Sequence, residues 1–253
     1  MHTLAKNTHG WFLVPDKVKE KPDIRHLLNN RVHEPNTIEF LVNNAGDGII
    51  ISAGTFIGDF LPPLGRIPNK VYAFEPVKEF YHYSQMNLML NFFDGGHNIE
   101  LANMGLGEGS YSKRILKEDA NGKSLGGSSL YSYDDDNKSG AFAKRHKFNE
   151  DTSTSGYEDT QITSLDEYIP EEEHDKVSII QLDVEGYEEK ALMGARDIIA
   201  KSSPFIIIEL WIDPQNPDRQ LDALKTDFYQ NEILGSGYEI IDKMYQNVIL
   251  QRK

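Results

Sequence analysis

Two carboxylates and two glycines stand where a folded chain could turn them toward a ligand. Asp183 and Glu185 are separated by one residue and follow the apolar run 177–182. Gly54 and Gly58 follow another apolar run, with a spacing typical of a tight turn into a helix N-terminus, where free N–H groups can meet a ligand. Carboxylates at such a place can orient an acceptor or take its proton. We predict Asp183 as the stronger site residue, although either acid could instead cap the following helix.

Glu75 is a third candidate, because it ends a further apolar run 21 residues after Gly54 and precedes Pro76. An acid at this place typically accepts hydrogen bonds from ribose hydroxyls. Dinucleotide sites use a second glycine to approach a pyrophosphate, and Phe56 occupies that position here. The two glycines alone would fit an ordinary turn, but with Glu75 they favour a nucleoside ligand without a pyrophosphate, such as S-adenosylmethionine.

The elements that must position these residues alternate along the chain. Strands are predicted at residues 48–54, 70–75, 98–103, 177–183 and 204–210, helices at 37–46, from 57, 77–91, 187–200 and 220–234, and a closing hairpin at 238–242 and 247–250. This alternation is typical of a doubly wound α/β fold with a mostly parallel sheet, to which the hairpin adds an antiparallel edge. Ligands of such sheets bind at the carboxyl ends of the strands, where the candidate residues fall.

The whole chain is interpreted as one domain with two additions. Residues 1–35 are predicted to form an N-terminal cap, and the polar stretch 117–160 is predicted to be an insertion that acts as a lid over the acceptor site. The basic run 144–147 lies in this insertion and could hold an anionic substrate or be a solvated loop. His146 in that run and His33 are further candidates for a general base.

Composition excludes several classes of function. The chain has 26 Lys and Arg against 40 Asp and Glu, a net charge of −14 that disfavours nucleic acid and anionic membranes as partners. It has no cysteine, which excludes disulfides, a thiolate nucleophile and Cys-based metal sites. The spacing of the Asp, Glu and His residues does not specify a metal site of another kind.

Without a long apolar stretch or a secretory signal, a cytoplasmic location is expected. The oligomeric state is left open.

Several motifs in order resemble the FkbM-type S-adenosylmethionine-dependent methyltransferases. These are the stretches 54–60, 73–76, 105–108, 164–168 and 182–188, with Glu34-Pro35 as a lead-in. The resemblance covers about residues 33–211. It implies a seven-stranded Rossmann-like sheet, S-adenosylmethionine as cofactor and methyl transfer, usually to oxygen.

The resemblance also implies a set of site residues. The cofactor-binding positions are Glu34, Ala53, Gly54, Thr55, Phe56, Gly58, Asp59, Glu75, Pro76, Met104, Gly105 and Asp183. The catalytic candidates are Asp183, Glu185 and His146, with Glu209 as a further possible base. This chain has Ser52 where the family usually has an acid and Gln181 where it often has a basic residue.

The function predicted from the sequence is methyl transfer from S-adenosylmethionine to an oxygen of a small or carbohydrate-like acceptor. One alternative is a nucleotide-dependent oxidoreductase on the same architecture, against which Phe56 argues. Another is a cofactor-binding or interaction module without catalysis.

Overall fold

The computed structural model describes residues 1–116, 157–210, 212 and 217–253. Its strands are β1 (His2–Asn7), β2 (Gly10–Pro15), β3 (Ile49–Ala53), β4 (Val71–Phe74), β5 (Ile99–Ala102), β6 (Gly105–Leu106), β7 (Tyr111–Leu116), β8 (Tyr157–Thr163), β9 (Val177–Leu182), β10 (Phe205–Glu209), β11 (Tyr238–Met244) and β12 (Asn247–Arg252). Its α-helices are α1 (Pro22–Leu28), α2 (Pro35–Asn44), α3 (Leu61–Leu64), α4 (Lys78–Asn91), α5 (Leu165–Tyr168), α6 (Glu188–Met193) and α7 (Arg196–Ser202). No helix within these ranges is long and apolar enough to cross a membrane.

A seven-stranded sheet in the order β11-β12-β10-β9-β3-β4-β5 forms the centre of the fold. Strand β12 is antiparallel to both β10 and β11, while the ladders among β10, β9, β3, β4 and β5 are parallel. This confirms the predicted Rossmann-like, doubly wound, mostly parallel sheet with a C-terminal antiparallel hairpin. The inner strands β3 and β4 are buried along their whole length, as expected for strands covered by helices on both faces. The chain crosses from one half of the sheet to the other between β3 and β9, the switch point at which such folds bind ligands.

The prediction of a helix from residue 57 is wrong in its extent. Residues 55–60 form turns, and the only helical part is α3, which holds Pro62 and Pro63 in its first turn. A proline there lacks an N–H that the helix would not use, so both prolines are compatible with this first turn.

Two other predicted helices are divided or replaced. The segment 187–200 separates into α6 and α7 at Gly194, where a Cβ would lie 2.0 Å from the carbonyl oxygen of Gly107. The segment 220–234 consists of a 3-10 helix (Pro217–Lys225) and a π-helical turn (Tyr229–Ile233) in place of one α-helix.

The N-terminal cap contains an unpredicted hairpin of β1 and β2, which is anchored on α4 by two asparagines. Asn91 accepts from the N–H of Trp11 and donates to its carbonyl, and Asn87 makes the same pair of bonds with Leu13. Asn87 Nδ2 also donates to the carbonyl of Ile57 at 2.8 Å. One face of α4 therefore holds both the cap and the turn that follows β3.

Strands β7 and β8 pair antiparallel on either side of the predicted insertion. Residues 117–156, including His146, lie outside the described residues, so the predicted lid stays a prediction. Residues 157–160, which the sequence placed in the insertion, belong to β8.

Candidate active site

The carboxyl ends of the central strands border a cavity of about 300 Å³. Ala53 at the end of β3 is in register with Phe74 of β4 and with Leu182 of β9, so the residues that follow these three lie at one edge of the sheet. Predicted site residues that line the cavity are Glu34, Ala53, Gly54, Thr55, Phe56, Asp59, Glu75, Pro76, Met104, Gly105, Asp183 and Glu185. The volume is at the lower end of the range of small-molecule sites, about 300–1,000 Å³.

The turn after β3 lies so close to the end of β9 that position 54 has no room for a Cβ atom. Gly54 has a φ of +82°, and a Cβ on it would lie 1.7 Å from the carbonyl oxygen of Asp183. The N–H groups of Gly54 and Thr55 both donate to the carbonyl of Phe74. Phe56, with a φ of +51°, continues the turn in a conformation that is uncommon for a bulky residue. The backbone itself therefore forms this wall of the cavity.

Glu75 fixes the same turn from β4. Its side chain is buried, 4% exposed, and Oε2 accepts from the N–H of Phe56 at 2.7 Å while Oε1 accepts from the N–H of Val77 at 2.9 Å. Burial raises the pKa of Glu75 to about 8, although the two N–H groups favour its ionised form. A carboxylate offers about four acceptor positions, so this one can still accept from ligand hydroxyls.

Gly58 lies on the side of the turn that faces α4 and does not line the cavity. It has a φ of +79°, and a Cβ on it would lie 3.0 Å from Cα of Ser84 on α4. Ser84 Oγ in turn donates to the carbonyl of Phe56 at 2.8 Å. The spacing of Gly54 and Gly58 thus reflects two different close approaches, one to β9 and one to α4.

Four carboxyl side chains gather where β9 and β10 end. Burial, followed by the charge and hydrogen bond of Glu209, raises the pKa of Asp183 well above its usual range, and Glu185 and Glu34 add to the shift. Gln246 Nε2 donates to Glu209 Oε1 at 2.5 Å. Asp183 and Glu209 therefore form a hydrogen-bonded carboxyl pair that retains a proton more readily than a solvated acid does.

Neither candidate acid caps the helix that follows. Helix α6 begins at Glu188, and its N-cap residue Tyr187 makes no side-chain cap. The carboxylate of Glu188 itself accepts from the N–H groups of Val184 and Gly186 at 3.2 and 3.1 Å. Glu188 therefore stabilises the turn between β9 and α6, whereas Asp183 lines the cavity.

The two residues that depart from the pattern implied by the resemblance face each other in the wall of the cavity. Ser52 and Gln181 are register partners on β3 and β9, and Ser52 Oγ donates to Gln181 Oε1 at 2.7 Å with both side chains buried. A neutral hydrogen bond occupies the place at which the resemblance implies an acid and a base. The two changes compensate each other, because neither leaves a buried charge unpaired.

The charge of the cavity wall suits a cation. In addition to the acids already described, Asp59 and Asp23 line it, and burial with the charge of Asp23 raises the pKa of Asp59 to about 7. S-adenosylmethionine carries a positive sulfonium, which such a wall attracts. In the part of the chain that the structure describes, no group of three or more His, Asp and Glu side chains is arranged to hold a metal ion.

The buried side chains of Glu75 and Glu188 are expected to make the ligand-free protein less stable as the pH rises. Burial raises the pKa of Glu75 to about 8 and that of Glu188 to about 7, against an ordinary 4.5. Since the folded state binds more protons than the unfolded one, the stabilisation is complete below about pH 4 and is lost as the pH rises through 7 and 8. Calorimetry should show the Tm falling by about 5 °C or more between pH 5 and pH 8.

His174 contributes in the same direction from a buried site away from the cavity. Its Nδ1 lies 2.6 Å from Asp197 Oδ2 and its Nε2 2.9 Å from the carbonyl oxygen of Ile169, two acceptors that only the doubly protonated ring satisfies. Burial lowers the pKa of His174, but these hydrogen bonds raise it overall, so its stabilisation is also lost with rising pH. Glu188→Gln should flatten the Tm profile, whereas a Tm that rises from pH 5 to pH 8 would contradict the prediction.

Several lining residues were missed at the sequence level. From the cap come Lys21 and Asp23, with Lys21 Nζ 5.5 Å from the ring centre of Phe56, and from the C-terminal hairpin come Tyr245 and Gln246. No motif marks them, because they lie far in sequence from the ends of β3, β4 and β9, where the motifs are. His33 and Glu209, considered only as bases, also line the cavity.

Comparisons with known proteins give one family. The sequence model of the methyltransferase FkbM domain matches residues 57–228, more than half of the chain. A comparison with curated protein sequences found no match.

Among solved structures, the FkbM methyltransferase from Methylobacillus flagellatus KT is 18% identical with a TM-score of 0.47, and the match covers 81% of this chain but only 43% of that one. M. jannaschii TYW2 in complex with AdoMet is 16% identical with a TM-score of 0.46, covering 100% of this chain and 87% of the other. Magnesium protoporphyrin IX methyltransferase from Synechocystis PCC 6803 with bound SAH is 12% identical with a TM-score of 0.45, covering 87% and 82%.

Proposed function

We propose that this chain, which belongs to the FkbM methyltransferase family, transfers a methyl group to a hydroxyl oxygen of a small, carbohydrate-like acceptor. Members of the family use S-adenosylmethionine, and this membership decides against the oxidoreductase alternative. The acceptor class and the roles of single residues are the parts that need argument and test.

The strand order supports a division of the cavity into two sides. Gly54, Glu75, Met104 and Gly105 follow or adjoin β3, β4 and β5 and form what we term the cofactor side. Here the close backbone of Gly54 and the acceptor positions of Glu75 fit a nucleoside. When bound, S-adenosylmethionine supplies an electrophilic methyl group.

The acceptor side comprises Asp183, Glu185, Glu209, Tyr245 and Gln246, at the ends of β9, β10 and the β11-β12 hairpin. The observation that carries the proposal is that Asp183 and Glu209 lie side by side at the ends of the neighbouring strands β9 and β10, where both line the cavity and form a hydrogen-bonded pair. An alcohol must lose its proton as its oxygen is methylated, and a carboxyl group whose pKa is raised well above its usual range is a stronger base than a solvated carboxylate. Carboxyl oxygens accept hydrogen bonds, so an acceptor rich in hydroxyl groups matches this side best.

A panel of acceptors with radiolabelled S-adenosylmethionine tests the proposal. It should include methyl glycosides of glucose, galactose and mannose, catechol, and a simple primary amine. We expect one or more of the glycosides to carry the label, in an O-methyl ether. Label only in the amine would overturn O-methylation, and cofactor binding without any transfer would favour the inactive binding module.

Replacing Glu75 is expected to weaken cofactor binding. Glu75→Gln removes the charge and one of the two oxygens, so the N–H of Phe56 or that of Val77 loses its acceptor, and a ligand hydroxyl loses a charged partner. A hydrogen bond to a charged group is worth roughly 1.5–3 kcal/mol, and we expect S-adenosylhomocysteine to bind about tenfold or more weakly in calorimetric titration.

A second ligand separates ribose recognition from support of the turn. If Glu75 contacts the ribose, 2′-deoxy-S-adenosylhomocysteine should bind wild type more weakly and should lose less affinity from Glu75→Gln than the parent ligand does. Equal losses for both ligands would restrict Glu75 to holding Phe56. Unchanged affinity for both would remove it from the site.

A further inference from the structure

Tyr245 is held in a backbone conformation that a bulky residue avoids. It is the first residue of the two-residue turn between β11 and β12, with a φ of +57°. Glycine adopts this region without the steric cost that a Cβ brings. The side chain is nevertheless a large aromatic one, 77% exposed, and it lines the cavity.

Hydrogen bonds from neighbouring elements fix this turn. Gln220 is buried, and its Nε2 lies 3.1 Å from the carbonyl oxygens of Leu210 and Tyr245 and 3.2 Å from that of Gln246. The N–H of Leu210 donates to the carbonyl of Gln246 at 2.8 Å. Strain of this kind persists where the surroundings over-determine the backbone, and it is concentrated at ligand sites.

The same turn belongs to the acceptor side. Gln246, the next residue, donates to Glu209 of the carboxyl pair. An exposed ring thus lines a cavity whose wall on this side also contains carboxyl groups. A pyranose ring presents both matching features, since it has an apolar C–H face for an aromatic ring and hydroxyl donors at its edge for carboxylates.

We propose that Tyr245 is a specificity-determining residue that stacks on the C–H face of a pyranose acceptor. The inference rests on the proposed function and narrows it to six-membered sugar rings. It also gives the strained turn a reason, because a glycine at this position would relax the backbone but remove the stacking surface.

Three variants separate the ring, the hydroxyl and the backbone. Tyr245→Gly relaxes the turn and removes the ring, Tyr245→Asn removes the ring with a side chain that tolerates positive φ, and Tyr245→Phe keeps the ring. Each is saturated with S-adenosylhomocysteine and titrated with methyl glycosides of glucose, galactose and mannose, and with catechol, by saturation-transfer NMR. The Tm of each variant is measured in parallel.

Wild type and Tyr245→Phe are expected to bind a glycoside with similar affinity, and the Gly and Asn variants about fivefold or more weakly. S-adenosylhomocysteine affinity should be equal in all four proteins. The Tm of Tyr245→Gly should be unchanged or higher by about 2–4 °C. A purely structural tyrosine would instead lower the Tm when removed and leave glycoside affinity unaltered.

The outcomes also separate this inference from the proposed function. Equal glycoside binding by wild type and Tyr245→Gly overturns the role of Tyr245 and leaves the acceptor class standing. Binding of catechol alone, or of no probe by a wild type that binds the cofactor product, overturns both the pyranose and the carbohydrate-like acceptor.

Discussion

Asp183→Asn is expected to lower kcat by a factor of about 10²–10⁴, the usual contribution of a positioned general base. The substitution keeps the shape of the side chain and leaves the N–H of residue 183 bonded to the carbonyl of Ala53. It removes the carboxylate that, with Glu209, can take the acceptor proton. Turnover is measured on the glycoside that the acceptor panel identifies, together with Tm and S-adenosylhomocysteine affinity.

Stability should not follow the loss of activity in this variant. Burial and the neighbouring acids raise the pKa of Asp183, so its charged form is unfavourable in the folded protein. A neutral amide should therefore leave the Tm unchanged or increase it. The kcat/KM of wild type should rise with pH through the titration of the pair, and the variant should lack that step.

Two neighbouring acids are the controls for Asp183. Glu188→Gln weakens the bonds to Val184 and Gly186, so it should lower the Tm with a much smaller effect on kcat. Glu185→Gln tests the second catalytic candidate on the same turn. Near-normal turnover in Asp183→Asn, or a larger loss in Glu185→Gln, would move the base away from Asp183.

The central sheet could be predicted because its strands are buried on both faces. The isoleucine runs of β3, β9 and β10 have few alternative structures once flanked by turns. The helices were harder, because distant contacts set their type and ends. The break at Gly194 depends on the carbonyl of Gly107, which local periodicity does not record.

The same division holds for the site. That Gly54 and Glu75 lie at the same edge of the sheet could be predicted, because a glycine turn and an acid at the end of β4 are local in sequence. Tyr245 and Lys21 reach the cavity only through the strand order and through the packing of the cap on α4, and neither has a sequence signal. Gly58 shows the opposite case, since its spacing from Gly54 belongs to the motif but its close contact is with Ser84 and not with the cavity.

Gly54→Ala is expected to weaken cofactor binding severely and to destabilise the fold. The new methyl group would lie 1.7 Å from the carbonyl oxygen and 2.7 Å from the carbonyl carbon of Asp183, and this neighbour is backbone of a central strand end that cannot rotate away. Relief requires β3 and β9 to separate where the N–H of Asp183 donates to Ala53. Overpacking and the positive φ together should cost about 3 kcal/mol or more.

Gly95→Ala is the matched control, because it separates the strain of a positive φ from the close approach. Gly95 has a φ of +73°, against +82° for Gly54, but a Cβ on it would meet nothing within 4 Å. Its replacement should cost only the left-handed conformation, about 1–2 kcal/mol, and should leave S-adenosylhomocysteine affinity intact. Gly54→Ala should show a larger fall in Tm and an affinity lower by about 100-fold or more. If the two variants matched in both measurements, the close approach of the turn to β9 would not be what forms the cofactor side. Recognition of the cofactor would then have to rest on Glu75 and the other carboxyl side chains alone.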